Sequence, residues 1–218
     1  MIKKDLIDAT KTYIRQTLSD AEGGHDWFHI LRVYNSAKRI AENENVDILV
    51  VELGALLHDI ADSKFYDGDE TIGPAKARSF LFCQNVDSAI IEHVVKIIVH
   101  ISYSKSLEKD NEWTSPELQV VQDADRLDAL GAIGIARTFN YGGFKNRAIF
   151  DPNIPPNLNM TKDEYKASTA PTINHFYEKL LQLKSKMNTK TGKRIAEQRH
   201  KFMQEYLEQF YKEWDGER

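Results

Sequence analysis

The sequence is poor in cysteine and has none of the long apolar runs that secretion or membrane insertion requires. Cys83 is the only cysteine among 218 residues, so no disulfide can form within the chain. It lies in the apolar stretch FLFC, which predicts a core residue rather than a nucleophile. No apolar run approaches the roughly 20 residues of a membrane span, and the first residues, MIKKDLIDAT, lack the apolar segment of a secretory signal. A cytoplasmic location is therefore expected.

An excess of positive charge is also missing, and so are two common catalytic motifs. The formal net charge is -4, with 41% hydrophobic and 28% charged residues. This composition is typical of a globular protein and argues against a general nucleic-acid binder, although a small anionic substrate remains compatible with it. There is no GxxxxGK[ST] loop, which excludes a P-loop nucleotidase, and no GxSxG elbow for serine chemistry.

Apolar residues recur at helical spacing along most of the chain, and this pattern predicts an all-α fold. We expect a single domain over 1–218, with its core at about 20–140, an irregular loop at 140–170 and C-terminal helices at 171–215. The segment VVKIIVHIS is rich in β-branched residues, which leaves a strand open, but its spacing favours a helix. Helices are predicted at 2–18, 26–41, 48–59, 74–82 and 87–99, from 116 onward, at 172–187 and at 190–212.

Several polar residues are typical of helix starts. Asp26, Asp47 and Asp87 each precede an apolar helical pattern and are predicted N-caps, because a short side-chain oxygen can accept from the free N–H groups of the first turn. Ser115 followed by Pro116 is a second kind of start, with serine as the cap and proline at the first helical position.

The stretch LGALLHDIADSK, residues 53–64, places His58 and Asp59 side by side at the end of an apolar helix. Imidazole and carboxylate are both good ligands for a divalent transition metal. Neighbouring residues on a helix diverge by about 100°, so two adjacent ligands reach one ion most easily at a helix end. Such a dipeptide is weak evidence alone, but HDWFHILRV at 25–33 and QDADRLDALGAIGIAR at 122–137 add further histidines and aspartates.

Together with ALLHDIAD at 55–62, these segments resemble the HD superfamily of metal-dependent phosphohydrolases. The resemblance covers roughly residues 20–150 and implies an all-helical HD-domain fold. It also implies four metal ligands: His29, His58, Asp59 and Asp125. These stretches look like those of the short bacterial HD proteins, some of which act as nucleotide pyrophosphohydrolases. That likeness implies cleavage of (deoxy)nucleoside triphosphates to the monophosphate and pyrophosphate.

The implied ligand set mixes nitrogen and oxygen donors. This mixture suits manganese, the ion we expect, as well as iron, cobalt, nickel or zinc, whereas magnesium prefers oxygen alone. Such an ion can lower the pKa of a bound water to roughly 7 and polarise a phosphoryl oxygen. Asp62 follows Asp59 by three residues and is predicted to act as general acid or base. Lys64 is predicted to neutralise charge on the phosphate.

Basic residues elsewhere in the chain could hold a polyphosphate. The predicted substrate-binding residues are His25, Lys105, Arg126, Lys145 and Arg147. Lys145 and Arg147 lie in the 140–170 stretch, which is either a lid over a nucleotide or a solvated surface loop. Helix capping is the alternative for His25, and a buried structural histidine is the alternative for His29.

Two further pairs of residues, and the activity itself, admit more than one interpretation. His93 and His100 lie seven residues apart on one helical face and could hold a second metal or serve only the structure. Asp123 and Asp128 could support the ligands or contact substrate. The same metal site could serve a phosphomonoesterase or a cyclic phosphodiesterase, or a metal- or nucleotide-sensing module without turnover. The expected partner is a small phosphorylated molecule, with no membrane and no general nucleic-acid binding, and a homodimer is left open.

Overall fold

The computed structural model describes residues 3–19, 26–61, 69–101, 113–161, 164 and 167–217, and within these ranges the chain is helical and contains no strand. The helices are α1 Lys3–Thr17, α2 Trp27–Ala41, α3 Ile48–Leu57, α4 Ile72–Cys83, α5 Ser88–His100, α6 Pro116–Asp128, α7 Gly131–Phe144, α8 Asn174–Glu178 and α9 Lys190–Trp214, with a 3₁₀ helix at Leu180–Lys186. The predicted all-α class is confirmed, and the segment VVKIIVHIS is part of α5.

The starts of four helices follow directly from the sequence. Each predicted cap accepts hydrogen bonds from main-chain N–H groups of the first turn, which have no partner inside the helix. These caps are Asp26 for α2, Asp47 for α3, Asp87 for α5 and Ser115 for α6.

The chain divides into two compact units, Met1–Asp125 and Arg126–Arg218. In the first unit α3 is central, because it packs against α1, α2 and α5. A Cβ added at Gly54 would lie 3.2 Å from Ile97 and 3.5 Å from Val121, so α5 and α6 approach the backbone of α3 closely. The helix ends at Leu57, two residues before the predicted end, and His58 is its C-cap.

In the second unit α9 packs against α7 and the 3₁₀ helix. Phe176 is fully buried, and its ring stacks on Tyr206 with the ring centroids 6.0 Å apart. The prediction of one helix over 172–187 is wrong. The backbone of Lys179 has φ -142°, which ends α8 and separates it from the 3₁₀ helix.

Two predictions about the surface need correction. The irregular stretch predicted from residue 140 begins only after Phe144, where α7 ends. Cys83 is exposed rather than buried. Successive helical residues are rotated by about 100°, so Leu81 points into the core while Phe82, 75% exposed, points out.

Within the part of the chain that the structure describes, none of the helices combines the length with the apolar character that a membrane span needs. The organisation as one domain over 1–218 stays a prediction.

Candidate metal centre

His29 is held in the first turn of α2. The side chain of Asp26 caps this helix by accepting a hydrogen bond from the main-chain N–H of His29 at 2.9 Å. The imidazole is only 2% exposed. The cap therefore fixes the backbone of His29 at the helix start, and the imidazole ring lies in the protein interior.

His58 follows the apolar helix α3, which carries it into the interior of the first unit. Its Nδ1 lies 2.9 Å from the carbonyl oxygen of Ala55. A carbonyl can only accept a hydrogen bond, so we assign the imidazole hydrogen to Nδ1, which leaves the Nε2 lone pair available to a ligand. Burial lowers the pKa of His58, partly offset by the carboxylates of Asp125 and Asp59. The neutral ring that a metal ligand requires is thus favoured.

Asp125, on α6, completes a three-residue group with the two histidines. Its Oδ1 lies 3.6 Å from Nε2 of His29 and 3.9 Å from Nε2 of His58. The three ligand atoms all lie within 4.8 Å of one another. The histidine rings meet edge to face, with their centroids 5.3 Å apart. The carboxylate is 39% exposed, in contrast to the buried imidazoles, so solvent reaches the group on the side of Asp125.

The donor set fits a divalent ion. Ligand atoms at about 2.1 Å from a tetrahedral ion are separated by about 3.4 Å, close to the distances from Asp125 to each histidine. Two imidazoles and one carboxylate leave coordination positions for water and substrate, as catalytic rather than structural sites do. The lone pair of His58 is already directed by its bond to Ala55, the kind of support that metal-binding histidines ordinarily receive.

Comparison with known proteins identifies the family. The HD domain family matches residues 27–130, a range that contains all four predicted ligands. YpgQ from Bacillus subtilis strain 168 is 36% identical over 206 residues, which cover 94% of this chain and 92% of YpgQ. This chain belongs to the HD superfamily.

Solved HD structures agree with this assignment. The crystal structure of an HD-superfamily hydrolase from Bacillus thuringiensis is 42% identical to this chain, with a TM-score of 0.79 and coverage of 98% of both chains. A crystal structure of B. subtilis YpgQ in complex with ADP is 33% identical, with a TM-score of 0.74, and covers 95% of this chain and 97% of that one. Family membership confirms the prediction of an HD-type metal-dependent phosphohydrolase.

The aspartate of the HD dipeptide stands slightly apart. Among the described residues, the group within 4.8 Å has three members, and Asp59 is not one of them. Asp59 is half-buried in the turn after α3, and its charge acts on His58. Its coordination of the same ion stays a prediction.

The predicted substrate residues have varied surroundings. Arg126 is 8% exposed and donates to the main-chain carbonyl of Lys186, which gives it a structural partner; its contact with phosphate stays a prediction. Lys145 is exposed, and its Nζ lies 4.9 Å from the ring centroid of Phe144. Arg147 is half-buried and donates to the carbonyl of Ser168 at 2.5 Å.

Four predicted site residues lie outside the described residues. They are His25 and Lys105, predicted to bind substrate, and Asp62 and Lys64, predicted to act in catalysis.

The histidines considered for a second metal have protein partners. Nε2 of His93 lies 2.9 Å from the hydroxyl of Ser115 and 3.4 Å from a carboxylate oxygen of Glu117. Nδ1 of His100 donates to the carbonyl of Lys96 at 2.7 Å. These bonds are what a purely structural role predicts.

The two aspartates that flank Asp125 in the sequence have different surroundings. Asp123 is fully buried, whereas the carboxylate of Asp128 lies 2.6 Å from the guanidinium of Arg137. Their support of the ligands or contact with substrate stays a prediction.

Sequence reasoning missed one contributor, the carbonyl of Ala55. A backbone group has no residue-type signal. The only trace of it in the sequence is that His58 stands three residues after Ala55 at a helix end, where carbonyls lack helical partners and a side chain can reach back to them.

Proposed function

We propose that this HD protein is a nucleotide pyrophosphohydrolase, which cleaves (deoxy)nucleoside triphosphates to the monophosphate and pyrophosphate. The observation that carries the proposal is the convergence of His29, His58 and Asp125. The complex of YpgQ with ADP supports a nucleotide as the ligand class. A cytoplasmic location belongs to the same proposal.

His29, His58 and Asp125 would hold a divalent transition ion, with Asp59 as the fourth ligand and manganese as the preferred metal. When bound, such an ion supplies Lewis acidity toward a phosphoryl oxygen and lowers the pKa of a water. The protein's own contribution is clearest at His58. Burial lowers the pKa of its imidazole, which favours the neutral ring, and the hydrogen bond to the carbonyl of Ala55 directs its Nε2 lone pair.

The remaining roles go to residues predicted from the sequence. Asp62 is the proposed general acid or base and Lys64 the group that neutralises phosphate charge, with His25, Lys105 and Arg126 as further substrate contacts.

Lys145 and Arg147 offer charges for the phosphates. They lie beside two aromatic residues, Tyr141 and Phe144, which are suited to stacking on a nucleotide base. Both cations lie 5.7 Å from the ring centroid of Tyr141, and Phe144 is 65% exposed.

A product assay tests the proposal most directly. Purified protein with added Mn²⁺ is given a panel of nucleoside and deoxynucleoside triphosphates, and pyrophosphate and orthophosphate are measured separately. We expect pyrophosphate and monophosphate in equal amounts. Asp125→Asn should abolish turnover, whereas Asp5→Asn, at an exposed position of α1, should keep it.

Three different outcomes would contradict this assignment. Orthophosphate release would indicate a phosphomonoesterase, and turnover of cyclic nucleotides alone would indicate a phosphodiesterase. Nucleotide binding without product under any divalent metal would indicate a sensing module. Any of these results would overturn the pyrophosphohydrolase assignment.

A further inference from the structure

A single acid interrupts the apolar helix α3, whose sequence is ILVVELGALL. Glu52 is 6% exposed, and its neighbours along this helix from Val50 to Leu57 are buried as well. Burying a carboxylate costs free energy unless it is paired and hydrogen-bonded. A hydrophobic residue would cost nothing of this kind, so the presence of an acid in the central helix needs an explanation beyond stability.

The partners of Glu52 come from two other helices. The hydroxyl of Tyr34, on α2, donates to Oε1 at 2.9 Å, and Tyr34 is itself only 4% exposed. The ammonium of Lys3, on α1, lies 2.8 Å from Oε2. Burial, followed by the hydrogen bond to Glu52, raises the pKa of the Tyr34 hydroxyl, so this group remains a donor at any physiological pH.

The bond between Tyr34 and Glu52 joins the same two helices that carry the metal-binding histidines. His29 lies five residues before Tyr34 on α2, and His58 lies six residues after Glu52. At a rise of 1.5 Å per residue, the polar bond is about 7.5 to 9 Å along the helices from the histidine pair. The two helices therefore run antiparallel, and near the metal centre they are joined by this hydrogen bond and by a 4.0 Å ion pair between Lys38 of α2 and Glu52.

Apolar contacts alone would leave the register of α2 on α3 weakly specified, because they are not directional. A shift of one helical turn moves a side chain by about 5.4 Å. Such a shift would carry His29 away from Asp125, which now lies 3.6 Å from its Nε2. A buried hydrogen bond opposes the shift, because moving either partner would leave a buried polar group unsatisfied.

We propose that the buried hydrogen bond between Tyr34 and Glu52 sets the register of α2 against α3, so that His29 reaches the ion held by His58 and Asp125. Tyr34 and Glu52 are then positioning residues. They touch neither metal nor substrate, and they act through the helices that carry His29 and His58. The inference rests on the metal centre of the proposed function and deepens it.

The decisive experiment separates stability from metal affinity. In the double variant Tyr34→Phe with Glu52→Leu, apolar groups of similar size replace the polar pair. Replacing a buried polar pair in this way often leaves stability unchanged or raises it. We expect an unchanged or higher Tm together with a Mn²⁺ affinity, measured by calorimetry, that is weaker by about tenfold, the lower end of the effect for groups that support metal ligands. The electron paramagnetic resonance spectrum of bound Mn²⁺ should change as well.

Three further variants complete the test. Glu52→Gln keeps an oxygen that can accept from Tyr34, and it should retain near-native Mn²⁺ affinity. Val50→Ala, at a buried position of the same helix, should lower the Tm and leave Mn²⁺ affinity unchanged. If the double variant fails to fold, Tyr34→Phe alone removes only the donor and should still weaken Mn²⁺ binding.

The inference is overturned if wild-type protein binds Mn²⁺ and the double variant, or Tyr34→Phe in its place, binds it equally well. It is also overturned if Val50→Ala weakens binding as much, because loosening of the core would then be the cause. Wild-type protein that binds no divalent ion would instead remove the metal centre of the proposed function, and the register proposal with it.

Discussion

Nε2 of His29 lies 3.6 Å from a carboxylate oxygen of Asp125, although the two residues stand at opposite ends of the HD region. Together with His58 they form a group whose ligand atoms all lie within 4.8 Å of one another, so a divalent ion placed there would have three protein ligands.

Removing the carboxylate of Asp125 should therefore weaken metal binding strongly and change the stability of the fold little. We expect Asp125→Asn to weaken Mn²⁺ binding by at least about a hundredfold, more than the loss of a residue that only supports a ligand. The Tm without metal should stay near the wild-type value, because the carboxylate is 39% exposed. Calorimetric titration beside Asp5→Asn checks this, and equal affinities for the two variants would remove Asp125 from the site.

Asp59 gives a second prediction about the same site. If its carboxylate is the fourth ligand, Asp59→Asn should weaken Mn²⁺ binding by more than about a hundredfold, beyond the effect of losing a group that only supports a ligand, and should lower the metal content of the purified protein. His58→Ala, which removes a ligand of the three-residue group, should lower it further. Native metal content in Asp59→Asn would show that three protein ligands suffice.

Stability should fall in mild acid because of His175. Desolvation of its ring, with the charges of Lys179 and Arg147, lowers its pKa to about 3. The unfolded chain takes up this proton near pH 6.5, whereas the folded chain resists it, so the unfolded state binds more protons between these values. The neutral ring of His175 therefore leaves stability undiminished above about pH 6.5. As the pH falls from there toward 3, the free energy of unfolding decreases by no more than about 1.4 kcal/mol per pH unit.

Urea unfolding at several pH values checks the prediction for His175. The variant His175→Gln should show a shallower loss of stability between pH 6.5 and pH 4 than the wild type, and the two curves should run parallel above pH 7. Equal slopes in the acid range would assign the loss of stability to other groups.

The second unit contains an ion pair whose carboxylate is buried, and this pair should matter for stability. Asp128 is 3% exposed and its carboxylate lies 2.6 Å from Arg137. Arg137→Met should lower the free energy of unfolding by about 3 kcal/mol, because it leaves a buried carboxylate without this partner. Adding Asp128→Leu should restore much of the loss. A double-mutant cycle in urea measures the coupling, and simple additivity of the two changes would show that the pair contributes nothing.

Helix positions could be predicted where the signal is local. The caps at Asp26, Asp47 and Asp87 follow from residue type and the apolar pattern after them, and all three accept the expected hydrogen bonds. The break at Lys179 carries no such signal, since helical spacing continues across it. The apolar neighbours of Cys83 predict burial, but burial depends on which way the helix faces, and α4 turns this residue outward.

The sequence by itself predicted the helical class and the starts of four helices, because these depend on residue type and on spacing within a few turns. The four predicted ligands came instead from the resemblance of three segments to the HD superfamily. The tertiary structure alone decided that His29, His58 and Asp125 meet, which nitrogen of His58 carries the hydrogen, and that Arg126 donates to a main-chain carbonyl. It also paired Tyr34 with Glu52 across two helices. Contacts of this kind depend on how helices distant in the chain pack against one another, and no local pattern encodes the distance between them.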